Sequence, residues 1–547
     1  MKIAGLWSGH DCSFCVLENG MPVIHAEYER YNREKSPAGD SAKFLYERFE
    51  GAEEISHFAG IYPTRKMSEY DSFEKIKKQA ESKGGSVYLY SHHRAHAANA
   101  FYSSNFDKSI VITLDGGGVE SNEGAETAAT VWTGNGTSMD RLQTFHPSQL
   151  NIGGVWTRIT RYVFKLQNGW PLGGQEGTVM AMAAFGNPDK YYDDFLRMLT
   201  KDIIQAGFKP PTQPKGAYVE GKDPVHPYLN RWAMIADKSE QDKFDLAAGL
   251  QKATETVVFS IIQQCLDQLP DYRHLCLSGG VVLNSVCMGR MLEKFSDRLD
   301  DVYIPPVPYD GGLAIGAAQI LWHEELKNPR VKWNHNFTPY LGEVWGLEEI
   351  QETFKMFEGE IKVENSNIDE LIEKLMSGNI VSVFNGKSES GRRALGNRSI
   401  LVDPRRSEMK DIINEKVKHR AWFRPFAPSI LHEEIAEWFD HPHESPYMQF
   451  VLNFKKEKQD LVPAVVHKDG TARLQTVRKE DNEWYYNFLK KWHEKSGVPI
   501  ILNTSFNDRE PICENPEHAL RCFLGTKIDN LYFPEHNLLV TRKTKED

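Results

Sequence analysis

A chain of 547 residues exceeds what one hydrophobic core organises, and about three to four structural units are expected. With 40% hydrophobic and 11% aromatic residues it can fill those cores, which excludes a disordered chain. Its 76 acidic against 65 basic residues leave a net charge of −11. That argues against nucleic-acid binding through bulk positive charge, but not against a local basic pocket.

The N-terminus, MKIAGLWSGHDCSF, has no basic start followed by a long apolar run, so no signal peptide is expected. No stretch approaches the roughly 18 apolar residues of a membrane span. Lys2 to Trp7 is an apolar run leading into Gly9-His10-Asp11. Ser13 to Leu17 is a second run, and Met21 to Glu27 a third. The Asn19-Gly20 turn between the last two predicts a hairpin. Glu27 to Arg30 and Arg33 to Lys35 form a dense charged segment, read as a solvated face. Seven scattered cysteines, an odd and sparse set, point to a reducing cytoplasm. Cys12 and Cys15 make a lone C-x-x-C and are read as strand residues, because a zinc site needs about four ligands.

The pattern then returns. His92-His93-Arg94-Ala95-His96 opens an Ala-rich run predicted to be helical, where His92 and His96 share one face. Ser109 to Leu114 ends in Asp115-Gly116-Gly117-Gly118, followed by Thr127 to Thr133 and a turn at Gly134-Asn135-Gly136. Two copies of strand, polar Gly-rich turn, strand, turn and strand suggest a duplicated α/β unit. The layout resembles the actin, sugar-kinase and heat-shock-protein superfamily, which grips a ligand between two such halves.

Residues 243–268 read as one helix. Leu275 to Leu277 ends in Ser278-Gly279-Gly280, and Val302 to Ile304 runs towards Tyr309-Asp310-Gly311-Gly312, where a helix starts. Asp115 and Asp310 could complete a His₂Asp₂ set with His92 and His96. Such a set suits iron(II), manganese or zinc, and the sequence does not choose among them. His10 ends the first strand as Asp115 ends its counterpart. It is either a general base acting on a hydroxyl or a turn residue satisfying local backbone.

The pattern loosens over residues 335–365. A boundary is expected near 345, dividing the chain into 1–345 and 346–547, with an acidic helix at Ile368 to Met376. Beyond Ile380 basic residues gather in short motifs: Arg392, Arg393 and Arg398 in the run 388–399; Lys416, Lys418, Arg420 and Arg424, the last inside FRPFAP; and Arg473 in DGTAR. A strand from Val498 to Leu502 ends in Asn503-Thr504-Ser505-Phe506-Asn507. Guanidinium forks bind phosphate oxygens in pairs, and an arginine set among rigid apolar neighbours is unlike a solvated basic run. An anion pocket is expected here.

Taken together these blocks resemble the NodU/CmcH-type O-carbamoyltransferases, which include enzymes acting on nodulation factors, cephems and aminoglycosides. The carriers are GHD at 9–11, HHRAH at 92–96, LDGGG at 114–118, EGTVMA at 176–181, LSGGVVLN at 277–284, YDGGLAIGAA at 309–318, RALGNRSIL at 393–401, FRPFAPS at 423–429, DGTARLQTV at 469–477 and NTSFN at 503–507. The resemblance implies an α/β protein. Its N-terminal domain would be a duplicated, actin-like domain akin to threonylcarbamoyl transferases, and its C-terminal domain would be YrdC-like. It implies that carbamoyl phosphate and ATP with Mg²⁺ give carbamoyladenylate in the YrdC-like site. The adenylate passes inside to a metal site, where an acceptor hydroxyl takes the carbamoyl group and AMP leaves. The implied metal ligands are His92, His96, Asp115 and Asp310, with iron expected and manganese or zinc as alternatives, and the implied base is His10. Lys35, Gly279, Gly280 and Asn284 would line the adenylate and acceptor. Arg393, Arg398, Lys418, Arg424, Arg473 and Asn503 would hold ATP and carbamoyl phosphate.

Thr178, Ala181, Met288, Lys387, Arg392 and Ala421 depart from the family's usual EGKVMG, LNCVA, ESG-RALG and KHRE patterns. None is an implied ligand, but Thr178 and Met288 bear on the first site and hence on the acceptor. The expected partner is a small-molecule hydroxyl acceptor, a natural product or sugar, with no nucleic acid and no membrane; a homodimer is left open. Two alternatives stand beside this reading: a tRNA threonylcarbamoyl-type transferase, and an actin-like kinase or nucleotide-binding protein. A hydrogenase-maturation carbamoyltransferase would normally carry paired-cysteine zinc motifs, which this sequence lacks.

Overall fold

Strand β1 (Lys2–Trp7) is buried at every position after Lys2, the pattern of a strand covered on both faces. It opens a computed structural model that describes residues 1–62, 70–121, 124, 126–166, 174–200 and 229–543. The chain forms two units. The first holds Met1–Cys12, Lys35–Cys287 and Met291–Val331; the second holds Ser13–Glu34, Met288–Arg290 and Lys332–Asp547.

In the first unit β1 pairs in parallel with β4 (His57–Ile61), which pairs in parallel with β5 (Val87–Tyr90). Helix α1 (His92–Ser103) follows. A second sheet holds β6 (Lys108–Val119), β7 (Glu126–Asn135), β8 (Ser138–Phe145), β9 (His274–Ser278) and β10 (Asp301–Tyr303), in the order β10-β9-β6-β7-β8. β7 and β8 are antiparallel additions, whereas β9 and β10 run parallel to β6. In the second unit β2 (Ser13–Glu18) and β3 (Met21–Glu27) form the antiparallel hairpin that the Asn-Gly pair predicts. Asn19 and Gly20 have φ of 50° and 85°, as a turn matched to strand twist requires. Both halves of the N-terminal region therefore run through one succession: a strand, an antiparallel hairpin, then two strands parallel to the first.

The long helix α2 (Glu240–Gln268) is capped by Ser239 and begins three residues before its expected start. Helix α3 (Ser285–Lys294) follows β9. Helix α4 (Leu313–Ile320) is buried along its whole length and packs on both β1 and α1. Glycine makes that approach feasible. A Cβ on Gly5 would lie 1.9 Å from the Ala314 carbonyl oxygen, and one on Gly316 the same distance from that of Ala95.

Two local expectations are corrected. β6 does not stop at Asp115 but continues to Val119, with a register shift between Leu114 and Gly118; glycines tolerate the irregular backbone of such a bulge. The following turn lies at Gly136-Thr137, later than the expected Gly134 to Gly136, because β7 extends to Asn135.

The second unit is built on eight strands: β11 (Ile361–Asn365), β12 (Val381–Phe384), β13 (Arg398–Val402), β14 (Ala427–Leu431), β17 (Gln475–Val477), β18 (Ile500–Ser505), β19 (Asn530–Phe533) and β20 (Leu538–Arg542). Their order is β11-β20-β19-β12-β13-β18-β14-β17, and β15 (Val451–Asn453) pairs separately with β16 (Thr471–Arg473). Helix α5 spans Ile368–Met376 as the sequence predicts, because Asn367 accepts from two of its first free N–H groups.

The charged segment after β3 is not a solvated face. Glu27 and Arg30 are buried. Arg30 Nη2 donates to the carbonyls of Glu389 (3.0 Å) and Gly391 (2.6 Å), and the Gly391 N–H donates to Glu27 Oε2 at 2.8 Å. These partners lie more than 350 positions away, beyond what a local charge pattern can reveal. All seven cysteines are free and buried, and burial raises the Cys15 thiol pKa. Among the described residues no helix is long and apolar enough to cross a membrane.

Candidate metal centre and anion pocket

Helix α1 begins right after β5 and places His92 and His96 one turn apart on one face. Their Nε2 atoms lie 3.1 Å from one another. Asp115, at the bulge of β6, brings Oδ2 to 3.1 Å from His92 Nε2 and 3.9 Å from His96 Nε2. Asp310, just before α4, brings Oδ1 to 3.5 and 3.4 Å from the same atoms. One ligand atom from each of the four lies within 4.8 Å of all the others. Gly118 makes room: a Cβ there would sit 2.2 Å from the His92 ring. The Gly280 N–H donates to Asp115 Oδ1 at 3.0 Å, and Ser278 Oγ lies 3.5 Å from His96 Nδ1.

These residues fit a divalent cation. Two imidazole nitrogens facing each other at 3.1 Å cannot both carry protons without repulsion. Asp310 Oδ2 is buried without a hydrogen bond of good geometry. Two nitrogens and two carboxylates form a borderline donor set suited to iron, manganese or zinc. Burial opposes ionisation of Asp115, but the His92 hydrogen bond and the charges of His96 and His92 outweigh it and hold its pKa far below the usual range. His93, between the two ligands, is a core residue. It pairs with Thr113 Oγ1 (2.6 Å) and the Thr127 carbonyl (2.7 Å), and burial drives its pKa down to about 3.

His10 stands beside this group, with Nε2 3.1 Å from Asp310 Oδ2 and Nδ1 3.1 Å from Asp11 Oδ2. Burial disfavours its charge, but Asp310, Asp11 and Asp115 prevail and raise its pKa to about 9. A general base needs the neutral imidazole, which these carboxylates disfavour while they are uncompensated. Offsetting their charge lowers the pKa again.

The other residues expected in the first site each have a defined local setting. Gly279 has φ 97°, and a Cβ would lie 2.1 Å from the Leu114 carbonyl oxygen, so only glycine fits. Gly280 orients Asp115, as above. Asn284 caps α3 through Cys287 N, and its side-chain amide pairs both ways with Gln251. Lys35 is half-buried in the same unit. Thr178 bonds Gln175, and Met288 is a core residue.

In the second unit three of the expected arginines converge. Burial lowers the Arg473 pKa well below its usual value, and the charges of Arg393, Arg420 and Arg424 lower it further. Burial and Arg424 do the same to Arg420. Arg420 bonds only neutral partners, Asn414 Oδ1 (2.8 Å) and the Pro425 carbonyl (3.2 Å). The buried Arg473 Nε has no hydrogen-bond partner. Among the described residues Arg420, Arg424 and Arg473 form no ion pair. Like charges packed without a carboxylate leave a pocket for an anion.

Lys418 and Arg398, expected beside the phosphates, are both engaged by the protein itself. Lys418 Nζ is committed to the carbonyls and side chains of Ser505 and Asn507. Arg398, wholly buried, donates to the carbonyls of Asn385, Asn397, Gly386 and Glu514 and lies over the Phe384 ring. Both shape loops rather than offering free donors. Asn503 Nδ2 is likewise used, by Ala394 O, Ser429 Oγ and Gln475 Oε1, but its buried Oδ1 has no partner. Sequence reasoning left Arg420 unassigned within its basic run and gave no signal for His467. Burial and the nearby Arg473 and Lys410 keep His467 neutral, with a pKa near 4, despite the opposing charge of Asp469.

Fold and site together define a mixed α/β protein with a candidate metal-binding group in one unit and a cationic pocket in the other. Residues 60–319 match the carbamoyltransferase N-terminus and residues 372–541 the carbamoyltransferase C-terminus. Nodulation protein NolO of Bradyrhizobium diazoefficiens is 33% identical over 80% of this chain and 77% of its own. An uncharacterized protein of Methanocaldococcus jannaschii, MJ1058, is 31% identical over 95% of this chain and 86% of its own. Among solved structures, full-length HypF in its phosphate- and nucleotide-bound form aligns over 58% of this chain and 55% of that one, at 17% identity and a TM-score of 0.34, too slight a likeness to bear on function. The chain belongs to the carbamoyltransferase family and is an enzyme of that kind.

Proposed function

We propose that the chain is an ATP-dependent O-carbamoyltransferase working in two half-reactions, with an actin-like first domain and a YrdC-like second. The observation that carries this is the presence, in one chain of this family, of a pocket where Arg420, Arg424 and Arg473 form no ion pair among the described residues, and of a separate buried His₂Asp₂ group. In the second unit Arg393, Arg424 and Arg473, with Arg420, neutralise phosphate oxygens. Water releases phosphate from carbamoyl phosphate, the carbamate oxygen attacks the α-phosphorus of ATP, and pyrophosphate leaves. The product, carbamoyladenylate, is a mixed anhydride with a good leaving group. Asn503 Oδ1 offers an acceptor to the carbamoyl NH₂.

In the first unit an acceptor hydroxyl attacks the carbamoyl carbon and AMP leaves. His92, His96, Asp115 and Asp310 would hold a divalent cation, iron by preference, which supplies Lewis-acid polarisation when bound. His10 holds and moves the hydroxyl proton, with Asp11 fixing its ring. The acceptor we propose is a small-molecule alcohol, a natural product or sugar. The test is product analysis: carbamoyl-phosphate-dependent release of pyrophosphate, with AMP on addition of acceptor, supports this reading. Acceptor-dependent release of ADP would make the chain a kinase instead.

His10→Asn should leave metal content and adenylate formation near wild type and slow single-turnover transfer from preformed carbamoyladenylate by about 10²–10⁴-fold, the usual cost of a lost proton-transfer group. A rate within a few-fold of wild type would reduce His10 to a positioning role.

A further inference from the structure

We propose that Glu389 is the positioning residue of the loop that carries Arg393, braced by Arg30 and Glu27 from the segment around the end of β3. The proposal rests on the reading of Arg393 as a phosphate ligand. It concerns a buried carboxylate to which neither the resemblance nor the half-reactions assign a role.

Glu389 is almost wholly buried, yet among the described residues Arg420, Arg424 and Arg473 form no ion pair with it. Its Oε1 instead accepts from the backbone N–H groups of Leu395, Asn397 (3.3 Å) and Arg398 (3.3 Å). Three amides converging on one carboxylate oxygen form a nest, and the chain bends there through Gly391 (φ 93°) and Gly396 (φ 120°). The loop's other backbone groups are also held. Asn503 takes the Ala394 carbonyl, and Tyr340 and Gln475 take that of Leu395.

The brace closes the opposite end. Arg30 Nη2 spans the carbonyls of Glu389 and Gly391, Glu27 Oε2 accepts from Gly391 N, and His25 Nδ1 lies 3.0 Å from Ser390 Oγ. Arg393 thus sits between two fixed points, Gly391 and Ala394. It is held where its charge bears on Arg473, a position that mutual repulsion opposes. The Glu389 nest and its brace fix the backbone on both sides of Arg393 before any ligand arrives, which is preorganisation in the sense that favours phosphate binding.

The test uses the full-length chain with three variants, Glu389→Gln, Glu389→Ala and Arg30→Lys. Carbamoyl phosphate binding is measured by calorimetry, amide hydrogen exchange is followed over residues 391–398, and KM and kcat are taken from pyrophosphate exchange. Loss of charge-assisted hydrogen bonds should weaken carbamoyl phosphate binding roughly 10-fold in Glu389→Gln and about 100-fold in Glu389→Ala. The effect should fall on KM for carbamoyl phosphate more than on kcat. Exchange at Leu395, Asn397 and Arg398 should speed up, while transfer from preformed carbamoyladenylate stays intact. Arg30→Lys keeps the charge but loses the fork and should shift affinity and exchange in the same direction, so it decides the matter if the Glu389 variants fail to fold. Unchanged affinity and unchanged loop exchange in a folded variant would overturn the proposal. If wild type itself fails to bind carbamoyl phosphate, the functional reading falls. Loop exchange alone then decides whether Glu389 orders this segment.

Discussion

His92→Ala and His96→Ala are each expected to strip the first unit of its metal and abolish carbamoyl transfer, while carbamoyladenylate formation continues. Each histidine supplies an Nε2 within 4 Å of both carboxylates, so deleting one leaves three ligands, two of them the carboxylates. Loss of a mere supporting partner costs metal sites about 10–100-fold in affinity or activity, and loss of a ligand should exceed that. Elemental analysis beside pyrophosphate exchange separates the two half-reactions. Full metal occupancy in both variants would remove these residues from the ligand set. His93→Gln is the internal control: it should perturb stability through Thr113 and Thr127 without stripping the metal.

Arg473→Ala and Arg424→Ala should stop carbamoyladenylate formation. A charge-assisted hydrogen bond to a buried phosphate is worth about 1.5–3 kcal/mol, or roughly ten- to a hundred-fold, and each arginine can make more than one. These variants should not be less stable than wild type. Both arginines have their charged forms disfavoured by burial, and Arg473 also by its neighbours, so removing one relieves repulsion in the empty pocket. An unchanged or raised Tm with lost pyrophosphate exchange is the expected pair of results. This opposition of stability and activity is usual for residues kept for function.

Much of this architecture was legible in the sequence because it depends on local signals. The Asn19-Gly20 hairpin, the i, i+4 histidines of α1 and the Asn-capped α5 each follow from residues close together in the chain. The four candidate ligands could be grouped because His92 and His96 share a helix face and Asp115 and Asp310 each lead an apolar run into a Gly-rich turn. What escaped depends on which groups the packing brings together. Arg30 and Glu27 looked like surface charges, since nothing near them shows that the 389–391 backbone would take their hydrogen bonds. The backbone carbonyls that Lys418 and Arg398 take up could not be read from composition either. Arg420 was visible as a base, but only packing shows that it repels Arg473.

The central claim is that two separate centres in this chain share carbamoyladenylate as intermediate. Single-turnover transfer by Arg473→Ala, supplied with synthetic carbamoyladenylate and a competent hydroxyl acceptor, tests it most directly. The account predicts that this variant, inert with ATP and carbamoyl phosphate, transfers the carbamoyl group at a rate near wild type once the adenylate is provided. A variant that stays inert with carbamoyladenylate, though folded and fully loaded with metal, would contradict the division of labour between the arginine pocket and the His₂Asp₂ group.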